Sequence, residues 1–229
     1  KIPQEALWGP QTERSRHNFP TGQFMPLAII RALLNIKKAA AQANLELNQI
    51  DEAKGKLIIE AIDQLLVLPD DDLRKDFPLK VYQTGSGTQT NMNTNEVVAN
   101  LAKRLNPDVT VLPNDDVNKG QSSNDVYPTA MNIVAVEALD QLLPAIQHLI
   151  DELKAKQEQY WHVVKVGRTH LQDATPLTFG QEVSGYVAAL EHDRDYLKQL
   201  QPTLLELAIG GTAVGTGLNA APGMPEKIA

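Results

Sequence analysis

The sequence predicts an all-α, mainly helical protein, and three observations carry that prediction. Apolar residues recur at steps of three and four over long segments, as at Leu57, Ile58, Ala61, Ile62 and Leu65, which gives each segment one apolar face. Polar runs rich in Gly, Ser, Thr and Asn separate these segments and lead into the next helical pattern. Aromatic residues are scarce at 5%, which suits helix packed on helix. With 229 residues, 42% of them hydrophobic, the chain can bury a sizeable core in one domain or one and a half.

Taken in order, residues 1–21 are rich in Pro, Gln and Arg and read as an irregular arm, with Leu7-Trp8-Gly9-Pro10 as its apolar anchor and Trp8 expected to pack. From Pro26, the residues Leu27, Ile30, Leu34 and Ala39 to Ala41 have helical spacing as far as Asn48. Gln49-Ile50-Asp51 then breaks the pattern and caps a second helix over 51–66. Asp70-Asp71-Asp72 could suggest a metal site, but consecutive side chains diverge and no second cluster accompanies them. A solvated loop with a helix cap is the expectation. A helix over 89–105 carries Val97, Val98, Leu101 and Leu105 as its stripe. A long helix follows, with Met131, Val134, Ala135, Ala138, Leu142, Ala145, Leu149 and Leu153 in register; Pro144 should kink it, because the stripe resumes beyond. A last helix presents Phe179, Val183, Tyr186, Val187 and Leu190 on one face before four glycines in 210–217 interrupt the pattern.

Charge and composition exclude several classes of partner. A net charge of −7 without a basic cluster argues against nucleic acid. The absence of cysteine removes both a disulfide framework and a thiolate metal site, and suits a reducing compartment. No uninterrupted apolar run is long enough to span a bilayer and the chain opens on Lys-Ile-Pro-Gln, so a soluble protein with no membrane partner is expected. Because it begins with lysine and stops after Pro225-Glu226-Lys227-Ile228, the chain reads as a piece of a longer one.

The polar runs are where chemistry is expected. Gly167-Arg168-Thr169-His170-Leu171-Gln172-Asp173-Ala174-Thr175-Pro176 lies between two helical segments. Thr175-Pro176 reads as a helix start, which leaves Thr169 and His170 on a short irregular segment. Imidazole suits proton movement near neutral pH, and a hydroxyl beside it can hold an anion. The run from Gln83 to Asn93 has two glycines for a tight turn, then hydroxyls and amides at a helix N-terminus, an anion-binding arrangement. Its rival, a dinucleotide fingerprint, lacks its third glycine because Thr90 stands there, and no alternating strand–helix pattern surrounds it. A further run, Pro113 to Asp125, also opens a helix, and 210–217 lacks the Gly-Lys-Ser/Thr of a phosphate loop.

Together these runs resemble the class II fumarases of the fumarase/aspartase superfamily. The resemblance covers nearly the whole chain: Leu7-Trp8-Gly9 with Gln11-Thr12, Gly85-Ser86-Gly87-Thr88-Gln89-Thr90-Asn91-Met92-Asn93, Gln121-Ser122-Ser123-Asn124-Asp125, residues 167–176, and Gly211-Thr212-Ala213-Val214-Gly215-Thr216-Gly217. Aspartases of the superfamily resemble Gly-Ala-Gly-Thr-Ser at 85–89 and many carry glutamine at His170, so fumarate hydratase is favoured over aspartate ammonia-lyase. A non-enzymatic helical scaffold that kept the fold is a third alternative, opposed by the retention of His170 and the Ser, Thr and Asn sets.

The resemblance implies reversible hydration of fumarate to (S)-malate through a carbanion-like intermediate, with no metal and no organic cofactor. By similarity Ser86, Gly87, Thr88, Ser122, Ser123, Asn124 and Thr169 bind substrate, and His170 handles the proton of the water or departing hydroxyl. Leu112, Pro113, Asn114 and Asp115 match a second anion site, but relatives commonly carry histidine where Leu112 stands. Leucine cannot donate, so a weak or absent second site is expected. The glutamate that orients the histidine and the serine loop that supplies the carbon-proton base are expected beyond Ala229, so the chain alone should be inactive. The implied architecture is an N-terminal helical domain over 1–116 and the first part of a central bundle over 117–229, in a homotetramer with shared active sites. A cytoplasmic location is expected, or a mitochondrial one in a eukaryote. His17, His148, His162 and His192 have no partner at metal-ligand spacing and read as surface residues, and Glu191-His192-Asp193-Arg194-Asp195 as a solvated helix face.

Overall fold

The computed structural model describes residues 2–229 and is mainly helical. The chain divides into two units, Lys1–Val134 with Leu207–Ala229, and Ala135–Glu206.

In the first unit, helix α1 (Pro10–Asn18) starts on a proline, and the helix N-terminus is held by a distant carboxylate. Glu96 accepts from the backbone amides of Gly9 (2.9 Å), Gln11 (2.8 Å) and Thr12 (3.0 Å) and from Thr12 Oγ1 (2.7 Å). A buried carboxylate is tolerable there because four donors and the positive end of a helix dipole satisfy it. Helices α2 (Leu27–Glu46) and α3 (Glu52–Leu66) pack on each other, and Asp51 caps α3 by accepting from Ala53 N at 2.9 Å. All of Leu57, Ile58, Ala61, Ile62 and Leu65 are buried, against Leu33 and Leu34 of α2 and against Val97 and Val98 of α5 (Thr88–Leu105). Trp8 packs on this core, and its Nε1 donates to Glu13 at 3.0 Å.

Asp70, Asp71 and Asp72 do not form a loop. They are the first turn of α4 (Asp70–Asp76), where the helix dipole stabilises carboxylates, and Asp70 and Asp72 pair with Arg31 and Lys75. Among the described residues no group of three or more His, Asp or Glu is placed to hold a metal ion. A π-helical turn (Pro113–Val117) precedes α6 (Ser123–Gln159), and α8 (Met224–Ile228) closes the unit by burying Met224 against Ala40 and Ala43 of α2.

Helix α6 runs unbroken across Pro144 and continues into the second unit. It has no uninterrupted apolar run, yet its Ile, Val and Leu residues, interspersed with polar ones, give an 18-residue window a mean hydropathy of 1.3, and by length and composition it is long and apolar enough to cross a membrane. Core helices of bundles meet the same measure. Its expected stripe is not the covered face: Met131, Leu142 and Leu149 are exposed, whereas Leu139 and Ile150 are buried.

The second unit holds the main departure from the sequence reading. Residues 167–176 are not irregular but lie within an antiparallel hairpin of β1 (Val164–Thr169) and β2 (Gln172–Thr178), paired from Val164 opposite Thr178 to Thr169 opposite Gln172 with a shift of register between Val166 and Arg168. Pro176 sits opposite Val166 in a two-stranded sheet that consists only of edges, where a missing N–H is tolerated. Thr175-Pro176 therefore starts no helix. Helix α7 (Phe179–Leu204) opens on a capping box, in which Thr178 Oγ1 accepts from Gln181 N at 3.1 Å and Gln181 Oε1 accepts from Thr178 N at 2.9 Å. The 191–195 run is only partly solvated. Glu191 pairs with Lys154 at 2.6 Å, and Arg194 Nη1 donates to Gln147 Oε1 at 2.7 Å, tying α7 to α6.

Candidate active site

Two of the polar runs meet at helix N-termini in the first unit. Thr88 opens α5 and Ser123 opens α6, and their hydroxyls lie 3.0 Å apart. Ser86 Oγ extends the chain at 2.9 Å from Thr88 Oγ1, and Thr84 Oγ1 lies 3.3 Å from Ser86 Oγ. The hydroxyls of Thr84, Ser86, Thr88 and Ser123 thus stand in line across two helix N-termini, where backbone amides and helix dipoles favour an anion. Gly87 is what lets the runs approach: its φ is +70°, and a Cβ there would lie 2.1 Å from the Tyr127 ring of α6.

Ser122 and Asn124 adjoin this line, and each has a structural task. Ser122 Oγ accepts from Asn124 N at 3.2 Å as a helix cap, which leaves its proton free to donate outward. Asn124 Nδ2 donates to Ala213 O at 2.8 Å, tying α6 to the glycine-rich 210–217 segment. Asp125 is 1% exposed and binds the same two segments: Oδ1 accepts from Ser122 N at 2.9 Å, and Oδ2 from Gly210 N at 3.1 Å and Thr212 N at 2.9 Å. Asp125 closes the Gln121-Ser122-Ser123-Asn124-Asp125 motif, and the sequence reading assigns it no role. Its spacing of three from Ser122 is the capping-box signal that would have found it.

Thr169 and His170 belong to the second unit, at the tip of the hairpin, and both are exposed. His170 (φ 47°) and Leu171 (φ 60°) form the turn, both left-handed. A tight hairpin built only to fold favours Asn-Gly there, since each non-glycine residue in that region costs about 1–2 kcal/mol. His-Leu runs against that preference, and Leu171 at 88% exposure recovers nothing by packing. Such strain points to use of the tip rather than to folding.

Leu112, Pro113, Asn114 and Asp115 lie at the π-helical turn. Leu112 is exposed and its N–H donates to Asp116 Oδ2 at 2.7 Å, while Lys54 Nζ lies 3.0 Å from both Asp116 oxygens. Asn114 and Asp115 line an open cavity of about 470 Å³ together with Asn44, Gln49, Lys119 and Asn219.

A model of the family described as lyase matches residues 1–229. The chain belongs to the lyase family. Among the relatives of this chain are fumarate hydratase class II of Myxococcus xanthus, 55% identical over 100% of this chain and 50% of the relative, and that of Nitrosomonas europaea, 52% identical over the same shares. The chain spans about half the length of the curated relatives it matches. A class II fumarase from Schistosoma mansoni superposes with a TM-score of 0.87 at 44% identity, covering 99% of this chain and 49% of that one. A fumarate lyase:delta crystallin from Brucella melitensis, solved with cobalt, gives a TM-score of 0.86 at 39% identity, over 99% and 50%. The fold class expected from the sequence is thereby shown, and this chain is similar to class II fumarases over residues 1–229.

Proposed function

We propose that a full-length protein containing this chain is a fumarate hydratase that interconverts fumarate and (S)-malate. The observation that carries this reading is the line of Ser86, Thr88 and Ser123 hydroxyls across two helix N-termini, in a chain 55% identical to a fumarate hydratase class II. Neutral donors suit a dianion whose charge grows during reaction. When water adds, its oxygen bonds to one alkene carbon, and charge shifts through the other onto the adjacent carboxylate. Each preorganised donor aimed at that charge contributes about 3 kcal/mol.

In this reading Ser86, Gly87, Thr88, Ser122, Ser123, Asn124 and Thr169 hold the carboxylates, and His170 accepts the proton of the attacking water. In the malate direction His170 returns that proton to the departing hydroxyl. The group that exchanges the carbon-bound proton lies outside these 229 residues, and no organic cofactor or metal takes part. Leu112 to Asp115 provide at most a weak second dicarboxylate site, because leucine replaces a donor. The reading also takes the 1–116 and 117–229 division, a homotetramer with shared sites and a cytoplasmic or mitochondrial location as its setting. The exposed face of α6, with Met131, Leu142 and Leu149, supports association between copies.

The test follows fumarate absorbance. The full-length protein should hydrate fumarate without ammonia, the 229-residue chain alone should not, and His170→Asn should lower turnover at least about a hundredfold with the fold intact. Ammonia-dependent loss of fumarate instead would identify an aspartate ammonia-lyase, no reaction with either nucleophile a scaffold, and near-normal hydration by His170→Asn would remove that residue from the mechanism.

A further inference from the structure

Lys37 is a buried charge that the proposed chemistry leaves unused. It lies on α2 at 0% exposure, and its ammonium donates not to a carboxylate but to two amide oxygens, Asn118 Oδ1 at 2.7 Å and Gln121 Oε1 at 2.9 Å. Both amides belong to the turn that delivers Ser122. Asn118 Oδ1 also accepts from Asn91 Nδ2 of α5 at 3.1 Å, and Asn118 Nδ2 donates to Gln121 O at 3.2 Å. Gln121 Nε2 donates to Val117 O and Lys119 O, each at 3.2 Å, and Gly120 takes φ 70° to let the turn close. A buried ammonium is a poor way to fix a loop if stability alone matters, since an apolar residue of similar volume often serves as well or better.

We infer that Lys37 is a positioning residue for the dicarboxylate site: its ammonium fixes the 118–121 turn, and through it the Ser122, Ser123 and Asn124 donors at the start of α6. The inference rests on the fumarate hydratase reading. A dianion at that N-terminus adds negative charge beyond the turn and so favours the charged form of Lys37. Burial pushes the Lys37 pKa down to about 7, against the pull of the Asp125 carboxylate. Lys37 is therefore partly uncharged near neutral pH before a ligand arrives, and binding draws a proton from solvent. Asp125 of α6 is the charged group acting on it. Asn118, Gln121 and Asn91 are neutral amides. On the other elements packed around α2, Asp63 pairs with Lys38, Asp116 with Lys54, and Lys227 with Glu46.

The experiment uses a full-length protein containing this chain and succinate, a dicarboxylate that cannot be hydrated, titrated calorimetrically at pH 7 in buffers of different ionisation enthalpy. The unsubstituted protein should take up roughly half a proton per site, as a group titrating at the working pH must when its charged form is selected. Lys37→Met should abolish that uptake, weaken succinate about tenfold, and raise KM by more than it lowers kcat, with the melting temperature unchanged or raised. Gln121→Glu keeps the lysine but gives it a carboxylate partner, so Lys37 is charged beforehand and uptake is again lost. Persistence of uptake in either variant, or undiminished succinate affinity in Lys37→Met, overturns the inference. If Lys37→Met does not fold, Gln121→Glu decides alone. Succinate binding by the unsubstituted protein without proton uptake overturns the inference while leaving the function reading intact. Absence of any dicarboxylate binding overturns the function reading and the inference with it.

Discussion

The two units bury their apolar residues very differently. In the first, Leu33, Leu34, Ile58, Ile62, Val97 and Val98 are at 0% exposure, and the charges that enter the interior, such as Glu96 and Asp125, are met by donors. In the second, Ile150 and Val187 are covered while Val164, Val166, Tyr186, Tyr196 and Leu200 stay more than half exposed. The first unit is a core sufficient to itself. The second holds its helices by ion pairs, a hairpin and a capping box, and offers its apolar faces to something else.

The largest expected effect tests that contrast directly. Leu33→Ala removes a side chain from the centre of the first unit and should lower unfolding free energy by about 2–5 kcal/mol. Leu142→Ala, on the exposed face of α6, should change it by less than about 0.5 kcal/mol while reducing self-association of the chain. Urea unfolding and sedimentation separate the two. Equal destabilisation by both substitutions would mean that the α6 face is already covered in solution.

A smaller effect concerns Lys37, a cation buried in the first unit. An unfolded Lys37 keeps its proton up to its ordinary pKa of 10.5, while the folded one releases it near 7. Between those values the unfolded state binds more protons, so stability rises with pH, by up to about 1.4 kcal/mol per unit. Below pH 7 the lysine is charged in both states and the slope vanishes. Thermal unfolding of the unsubstituted chain from pH 7 to 10 should show this rise over Lys37→Met. Parallel profiles would place the ionisation elsewhere.

The same division explains what could be read from the sequence. Stripes that face a core inside one unit were legible, as in α3, because period and burial have a single cause there. The long α6 stripe was legible as a pattern, but which face is covered is decided by what packs on it, and Leu139 and Ile150 won over Met131 and Leu142. Lys37 carried a signal that was passed over: it interrupts the row Leu33, Leu34, Ala40, Ala41, Asn44 at helical spacing, so a charge on the inner face was implied. Of the candidate site, the contact between Ser86, Thr88 and Ser123 could be anticipated only through resemblance, since a spacing of 35 residues carries no geometry. The hairpin was missed because His170-Leu171 is not a turn sequence by propensity.

The smallest expected effect asks how the second unit, with so little core, fixes the start of α7. Two threonines compete for that task. Thr175 precedes a proline and would cap a helix beginning at Pro176, but it lies in β2 and is exposed. Thr178 accepts from Gln181 N while Gln181 returns a bond to Thr178 N, satisfying donors that the first turn of a helix otherwise leaves open. Losing such a cap typically costs about 1 kcal/mol. Thr178→Ala should therefore lower stability by about that much and speed amide hydrogen exchange over the first turn of α7. Thr175→Ala should stay within about 0.5 kcal/mol and leave that exchange unchanged. Because few apolar contacts back this helix start, the loss should stay local and leave exchange in α3 and α5 as it was. Faster exchange across both units would mean that they unfold together, and the contrast between a self-sufficient core and a locally fastened helix pair would have to be withdrawn.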